Sequence, residues 1–436
     1  MMMRPSPAYE GSRAPRRSRG RAPLAWLCAA ALALTAGCSA LTDVETDLVE
    51  GDDLDNAAGA LALRAGAIGA FATALRIGVT ESGQLADELT ITNPATRTDV
   101  LDTRTPTESN PGSPNAFTSR TDALQSIADA IAAMRRHAPD PGSRIGDLYA
   151  LRGYTLVLLA EHFCSGVPLT ALRDGRPVPG VPHTTEELLD LAIAAFDTAA
   201  ALAGDSVRLA HWAAVGRGRA LLNLGRFADA AAAVADVPTS FSRLVEYSSS
   251  TLALRNQVST AFPTRTVANA EGGNGLPFVS WGDPRLDLRS AGTSGGATSY
   301  RPFKYATTDA PIVLASGIEA RLIEAEAALR ADDPETWLGI LNALRAPIGL
   351  PDLTDPGSPD ARVDLHFAER AAWLFLTGHR LGDLRRLVRQ YGRAVEETFP
   401  SGPYKGGPEV YGTATHFPIP EAERANPNFG GCLPGV

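Results

Sequence analysis

Motifs that announce a chemistry are missing from this chain. Its 436 residues contain no His-Glu-x-x-His, no P-loop, no Cys-x-x-Cys and no dinucleotide fingerprint, so the reactions those spacings serve are not written into it. The seven histidines (137, 162, 183, 211, 366, 379 and 416) are scattered, and no two share a helix at metal-ligand spacing. One formal hit stands out: Gly292, Ser294 and Gly296 satisfy G-x-S-x-G. A nucleophile elbow needs a strand before the serine and a helix after it to strain the turn. The flanks here read as loop, so no catalytic residue, no metal and no cofactor is expected.

Aromatics are scarce too, at 6%, beside 44% hydrophobic and 20% charged residues. That balance is globular, and the many alanine-rich runs favour helix over sheet. Cysteine is nearly absent, with four in the whole chain.

What is present begins with a targeting segment, residues 1–37, which is set aside before the fold is considered. Arg4, Arg13, Arg16, Arg17, Arg19 and Arg21 form a basic region, and Ala22 to Gly37 follows without a charge. This run is shorter than the roughly 20 residues that a membrane span needs. It ends in LTAGC, which resembles the lipobox of bacterial lipoproteins with Thr35 where leucine is usual. Cleavage there leaves Cys38 as the lipidation site, carrying acyl chains such as palmitate. Residues 38–53, crowded with Asp43, Glu45, Asp47, Glu50, Asp52 and Asp53, read as a solvated acidic tether. Without the leader the chain keeps 34 basic and 48 acidic residues, a formal charge of −14. Such a surface repels nucleic acid. Cys28 leaves with the leader and Cys38 takes the lipid. Cys164 and Cys432 remain, and an isolated pair in an exported protein is expected to be a disulfide.

Along the rest, residues 54–436, helical spacing dominates. A helix is expected from Leu54 to Ile77, then a loop from Gly78 to Asn115, then helices near Thr118–His137 and Arg144–His162. Thr184 and Glu187 form a capping box ahead of another. Arg208–Val237 reads as a small-residue helix, a turn at Gly225 and a second helix, which resembles a tetratricopeptide repeat. Ile318–Arg330 and Pro334–Arg345 read as a further pair. Between the pairs, residues 241–311 are punctuated by Gly, Ser, Thr, Asn and Pro, and read as a loop-rich insertion.

The stretch Leu365–Gln390 organises the chain. Phe367, Ala371, Leu374 and Phe375 lie on one helical face, Gly378 sits where a left-handed C-cap needs no Cβ, and Leu381, Leu384, Leu387, Val388 and Tyr391 restart the spacing. Arg385, Arg386 and Arg389 project from the opposite side, a basic face. Arg380 and Asp383, three residues apart, read as a pair that locks the angle between the helices.

These residues carry a resemblance. Glu369 through Phe375, Gly378, Arg380, Asp383, Leu384 and Arg385 are similar to the "ER..ELFFEGHR..DLRR" signature of the SusD/RagB family, the nutrient-binding lipoproteins of outer membranes, with Thr377 where that family has Glu. Val167, Pro168 and Leu169, the run RLIEAEAALR, the run LNALRAPIGLP, and Pro418 to Pro420 with Glu421, Asn426, Pro427 and Asn428 resemble further family motifs in the same order. The resemblance implies a mainly α, tetratricopeptide-like body. It also implies a ligand face built from insertions, an outer-membrane location facing the exterior, and a TonB-dependent, SusC-like transporter as partner. The implied ligand is an oligosaccharide or a peptide.

A sugar site needs flat rings for C–H faces and polar groups for hydroxyls. Trp281, Asp283, Arg285, Tyr300, Lys304 and Tyr305 supply both kinds within the insertion and are the candidate ligand-binding set. A second class of function, a helical-repeat lipoprotein that scaffolds envelope protein assembly, uses the same body without that site.

Overall fold

The computed structural model describes residues 55–433 apart from 93–98, 114, 174–175 and 295. The expected export leader, Cys38 and the expected acidic tether lie outside the described residues.

Among the described residues, ten α-helices of eight residues or more form the body. They are α1 (Ala57–Leu85), α2 (Asn115–His137), α3 (Ser143–His162), α4 (Thr185–Ala201), α5 (Val207–Asn223), α6 (Phe227–Val234), α7 (Gly317–Arg330), α8 (Pro334–Arg345), α9 (Pro359–Trp373) and α10 (Arg380–Tyr391). The class is mainly α, as expected, and the two helix pairs α5–α6 and α7–α8 fall where the sequence puts them. Local chemistry explains the starts. Thr184 accepts from the Glu187 backbone N–H at 3.1 Å while Glu187 accepts from Thr184 N at 2.8 Å, a reciprocal cap that satisfies two orphan donors. Asn56, Ser316, Asp333 and Ser358 cap α1, α7, α8 and α9 in the simpler way.

Small residues set how closely the helices approach. A Cβ at Gly216 on α5 would stand 2.3 Å from the Phe196 ring of α4, and one at Gly153 on α3 would stand 2.6 Å from the same ring. Phe196 therefore fills the space of two missing methyls, with Tyr154 edge-on at 5.0 Å. Gly216→Ala is expected to cost about 1–3 kcal/mol through overpacking, despite alanine's better helix propensity. Urea unfolding of the variant measures it, and an unchanged midpoint would show that the ring has room to yield.

Helix α1 runs eight residues beyond its expected end, and the expected loop begins only after Leu85. Thr80, Glu81, Ser82, Gly83 and Gln84 are poor advertisements for a core helix, yet all are buried. Tertiary contact overrides propensity here. A Cβ at Gly78 would meet the Arg120 guanidinium at 2.7 Å, and one at Gly83 would meet Leu376 at 3.2 Å. By length and composition α1 could cross a membrane, but Phe71, Ala74 and Leu75 are buried in the core of the protein.

The insertion is more ordered than a loop. It holds β1 (Ser242–Val245), β2 (Arg265–Val267) and the hairpin of β3 (Leu288–Ser294) with β4 (Ala297–Pro302). Strand β1 pairs antiparallel with Ile312–Ser316, which clasps the two ends of the insertion together, and β2 pairs with Leu89–Ile91, which fastens its middle to the segment after α1. Ser294 closes the first strand of a hairpin and is followed by a strand, not a helix. The context of a nucleophile elbow is absent.

The stretch 365–390 is interior, with three corrections. Helix α9 stops at Trp373, and a turn with Leu376 (φ +49°) and Gly378 (φ +84°) left-handed leads into α10. Gly378 thus shapes the entry to α10 and does not cap α9. Arg380 does not meet Asp383. It makes a fork to Asp87 at 2.6 and 2.7 Å, while Asp383 accepts from Arg370 at 2.9 and 3.0 Å and from Arg386 at 3.2 Å. The basic face is no face at all. Arg385 and Arg386 are each 1% exposed, the first donating to the carbonyls of Ala160, Glu161 and Phe163 and the second to both oxygens of Glu326. Arg389 is turned inward as well, donating to Asn223 O at 3.0 Å. The sulfurs of Cys164 and Cys432, the pair expected to bond, stand at bonding distance, 1.99 Å, and tie the chain's tail to the segment just after α3.

Candidate functional site

The six residues of the insertion singled out from the sequence divide into those spent on the fold and those left at the surface. Asp283 and Arg285 are spent. Arg285 donates to both oxygens of Asp283 and to both of Glu369, the latter at 2.6 and 3.0 Å, and its guanidinium lies 5.0 Å from the centre of the Trp373 ring. Arg345 adds a bond to Glu369 at 2.6 Å. The Asp283 and Arg285 side chains are 6% and 4% exposed, so this cluster glues the insertion to α8 and α9 and offers no hydroxyl partner to a ligand. Burial alone would raise the Asp283 carboxyl, but the Arg285 fork holds it below its usual range.

Tyr305 is spent too. It is buried, and its hydroxyl donates to Leu376 O at 2.8 Å. Lys304 donates to the neighbouring carbonyl of Phe375. Together they staple the end of the hairpin to the left-handed turn before α10. Lys304 exposes its aliphatic stem while its ammonium is tucked in, where desolvation pushes it down to about 8.

Trp281 and Tyr300 remain. Trp281 ends a one-turn helix, Phe278–Trp281, that Gly282 terminates at φ +65°, and it is half-buried beside the fully buried Phe278 with ring centres 6.3 Å apart. Tyr300 is half-buried in β4 opposite Ser290, its backbone N–H held by Thr266 Oγ1 at 2.9 Å. The candidate set missed Phe303. That ring is 50% exposed, with the Arg289 guanidinium 3.9 Å above its centre and Arg289 in turn held by Asp287 at 3.1 Å. Arg301 faces Arg289 across the hairpin. Rigid rings with guanidinium groups beside them are the surface a saccharide or another flat polar ligand can use. Among the described residues no group of three or more His, Cys, Asp or Glu is placed to hold a metal ion.

No protein-family profile matches the sequence, and no curated protein matches it. Solved structures do. A SusD-like carbohydrate binding protein from Bacteroides vulgatus superposes with a TM-score of 0.62 at 14% identity, over 87% of this chain and 98% of that one. NanU from B. fragilis gives 0.64 at 13% identity over 89% and 99%. A SusD homolog from Bacteroides thetaiotaomicron gives 0.65 at 12% identity over 87% and 97%. The chain has the SusD-like fold: a helical-repeat frame that carries an insertion between its helix pairs.

Proposed function

We propose that this chain is a lipid-anchored, surface-exposed SusD-like protein of the outer membrane that binds an extracellular oligosaccharide. It then passes the ligand to a TonB-dependent, SusC-like transporter. The observation that carries the reading is the likeness, over nearly the full length of both chains, to a protein described as carbohydrate binding. Export and anchoring rest on the basic leader and on Cys38 in LTAGC. The protein holds its ligand and breaks no bond in it.

Capture uses the surface left free by the insertion. Trp281, Tyr300 and Phe303 cover the apolar faces of sugar rings, and Arg289 and Arg301 take hydroxyl or carboxylate oxygens. Each contact is weak, and affinity comes from several subsites acting together. A glycan and peptide array with the soluble chain lacking residues 1–38 tests this. Binding to a glycan class is expected, weakened about tenfold or more in Trp281→Ala and in Phe303→Ala. Binding confined to peptides would replace the sugar with a peptide cargo. Equal binding by all three proteins would remove these rings from the site.

A further inference from the structure

The hairpin of β3 and β4 sets two arginines directly opposite one another, Arg289 and Arg301. Facing residues of an antiparallel pair put their side chains on one face, with Cβ atoms about 5 Å apart, and like charges so placed repel. Such a pair weakens the strands that carry it. Arg289 has a counter-ion, since Asp287, just before β3, accepts from its Nε at 3.1 Å and from its Nη2 at 3.2 Å. Arg301 has none. Its side chain is half-buried, and among the described residues no hydrogen bond, ion pair or ring contact engages its guanidinium.

Two guanidinium groups thus share a single carboxylate, on a chain whose formal net charge is −9. The positive charge is local. Phe303, on the same side of the hairpin, fixes its geometry, because the Arg289 guanidinium lies flat 3.9 Å above the centre of that ring. With Nε and Nη2 spent on Asp287, the Nη1 edge of Arg289 is left to donate. Arg301 keeps every N–H it has. A guanidinium takes a carboxylate through two parallel N–H···O bonds, whereas a sugar hydroxyl offers it one uncharged oxygen. One carboxylate set between the facing arginines relieves their repulsion, and a hydroxyl does not.

We infer that the saccharide held at this surface carries a carboxylate, as a uronic acid does, which Arg289 and Arg301 grip while the exposed Phe303 ring covers the sugar face beside it. The class of sugar rests on the saccharide reading above, and Arg301 is the residue that selects it.

An array of neutral and uronate-bearing oligosaccharides, each uronate also present as its methyl ester, tests this with the chain lacking residues 1–38. The uronates are expected to bind, and their esters, which keep the shape and lose the charge, to bind at least about tenfold more weakly. Raising NaCl from about 50 to about 500 mM is expected to weaken the acids at least about threefold and to leave the esters unchanged. Arg301→Gln is expected to abolish the preference for acid over ester, and Arg301→Lys to restore part of it. If Arg301→Gln does not fold, the salt dependence of the unaltered chain decides the matter. Acid and ester bound alike, neutral glycans bound in preference, or an acid preference that survives Arg301→Gln overturns the inference and leaves the saccharide reading standing. No glycan bound at all removes both.

Discussion

Glu326→Ala is expected to destabilise the protein by about 3–5 kcal/mol, the cost of leaving a buried charge without its partner. Glu326 is 0% exposed. It accepts from Arg386 at 2.6 and 2.9 Å, from the Tyr391 hydroxyl at 2.7 Å and from His366 Nε2 at 3.3 Å. Because Trp337 Nε1 donates to His366 Nδ1 at 3.2 Å, the imidazole is neutral with its proton on Nε2, facing the carboxylate. Burial alone would raise the Glu326 carboxyl, and Arg386 with His366 holds it well below the ordinary range. Alanine would strand Arg386 with a single carboxylate, Asp383, already shared with Arg370. Urea unfolding at pH 7 measures the loss. A companion variant, Glu326→Leu with Arg386→Met, is expected to recover most of it, since a well-packed apolar pair can replace a buried ion pair at little cost. A loss below about 1 kcal/mol in Glu326→Ala would mean that water reaches the cluster and screens it.

That cluster also shows where reading the sequence stops. Local patterns were legible: the Thr184–Glu187 box, the buried face of Phe367, Ala371 and Phe375, and the helix pairs α5–α6 and α7–α8 all follow from residues within a few turns of each other. Arg385 and Arg386 were not. Spacing marks them as the polar side of an amphipathic helix, and nothing nearby reveals that Glu326 waits 60 residues earlier and the carbonyl of Ala160 lies 225 away. Asp283 and Arg285 fail in the same way, since Glu369, 84 residues on, turns a plausible sugar-binding pair into an internal clamp. The buried end of α1 is a third case. Its residues are polar because they meet Arg120 and Arg265, neither of which the local sequence announces. Of the candidate site, the rings were findable from their place in a loop-rich insertion. Which of them face outward depends on the hairpin register, in which Tyr300 pairs with Ser290 and Phe303 follows the last pair.

The turn that joins α9 to α10 is the point on which these distant residues converge. Glu88 accepts from Leu376 N, Tyr305 donates to Leu376 O, Lys304 donates to Phe375 O, and Arg219 donates to Gly378 O at 3.1 Å. Arg219 is itself clamped to Glu161 on α3. The insertion, α3, α5 and the turn after α1 thus all hold one left-handed turn, so the orientation of the hairpin that Phe303 follows is coupled to the helical frame and not to the hairpin alone.

Glu88 makes this turn sensitive to alkali. One oxygen accepts from Leu376 N at 2.7 Å, while the other is buried without a partner. Desolvation raises the carboxyl from 4.5 to about 8, and Glu81, also buried, is raised to about 7. Between pH 4.5 and 8 the folded chain therefore holds a proton on Glu88 that the unfolded chain has released. Stability must fall as pH rises through this window and level off above it. For Glu88 alone the loss from pH 6 to pH 9 is about 2–3 kcal/mol, at 1.36 kcal/mol per unit. Glu88→Gln keeps the acceptor for Leu376 N and cannot ionise, so it is expected to match the wild type near pH 6 and exceed it by that amount at pH 9. Lys304, lowered to about 8, gains stability above pH 8, with the opposite sign. It is present in both proteins, so the difference between their stability curves reports Glu88 together with its charge interaction with Lys304. Urea midpoints for the two proteins at half-unit intervals from pH 5 to 9 give that difference, and parallel curves would place the Glu88 carboxyl in contact with water.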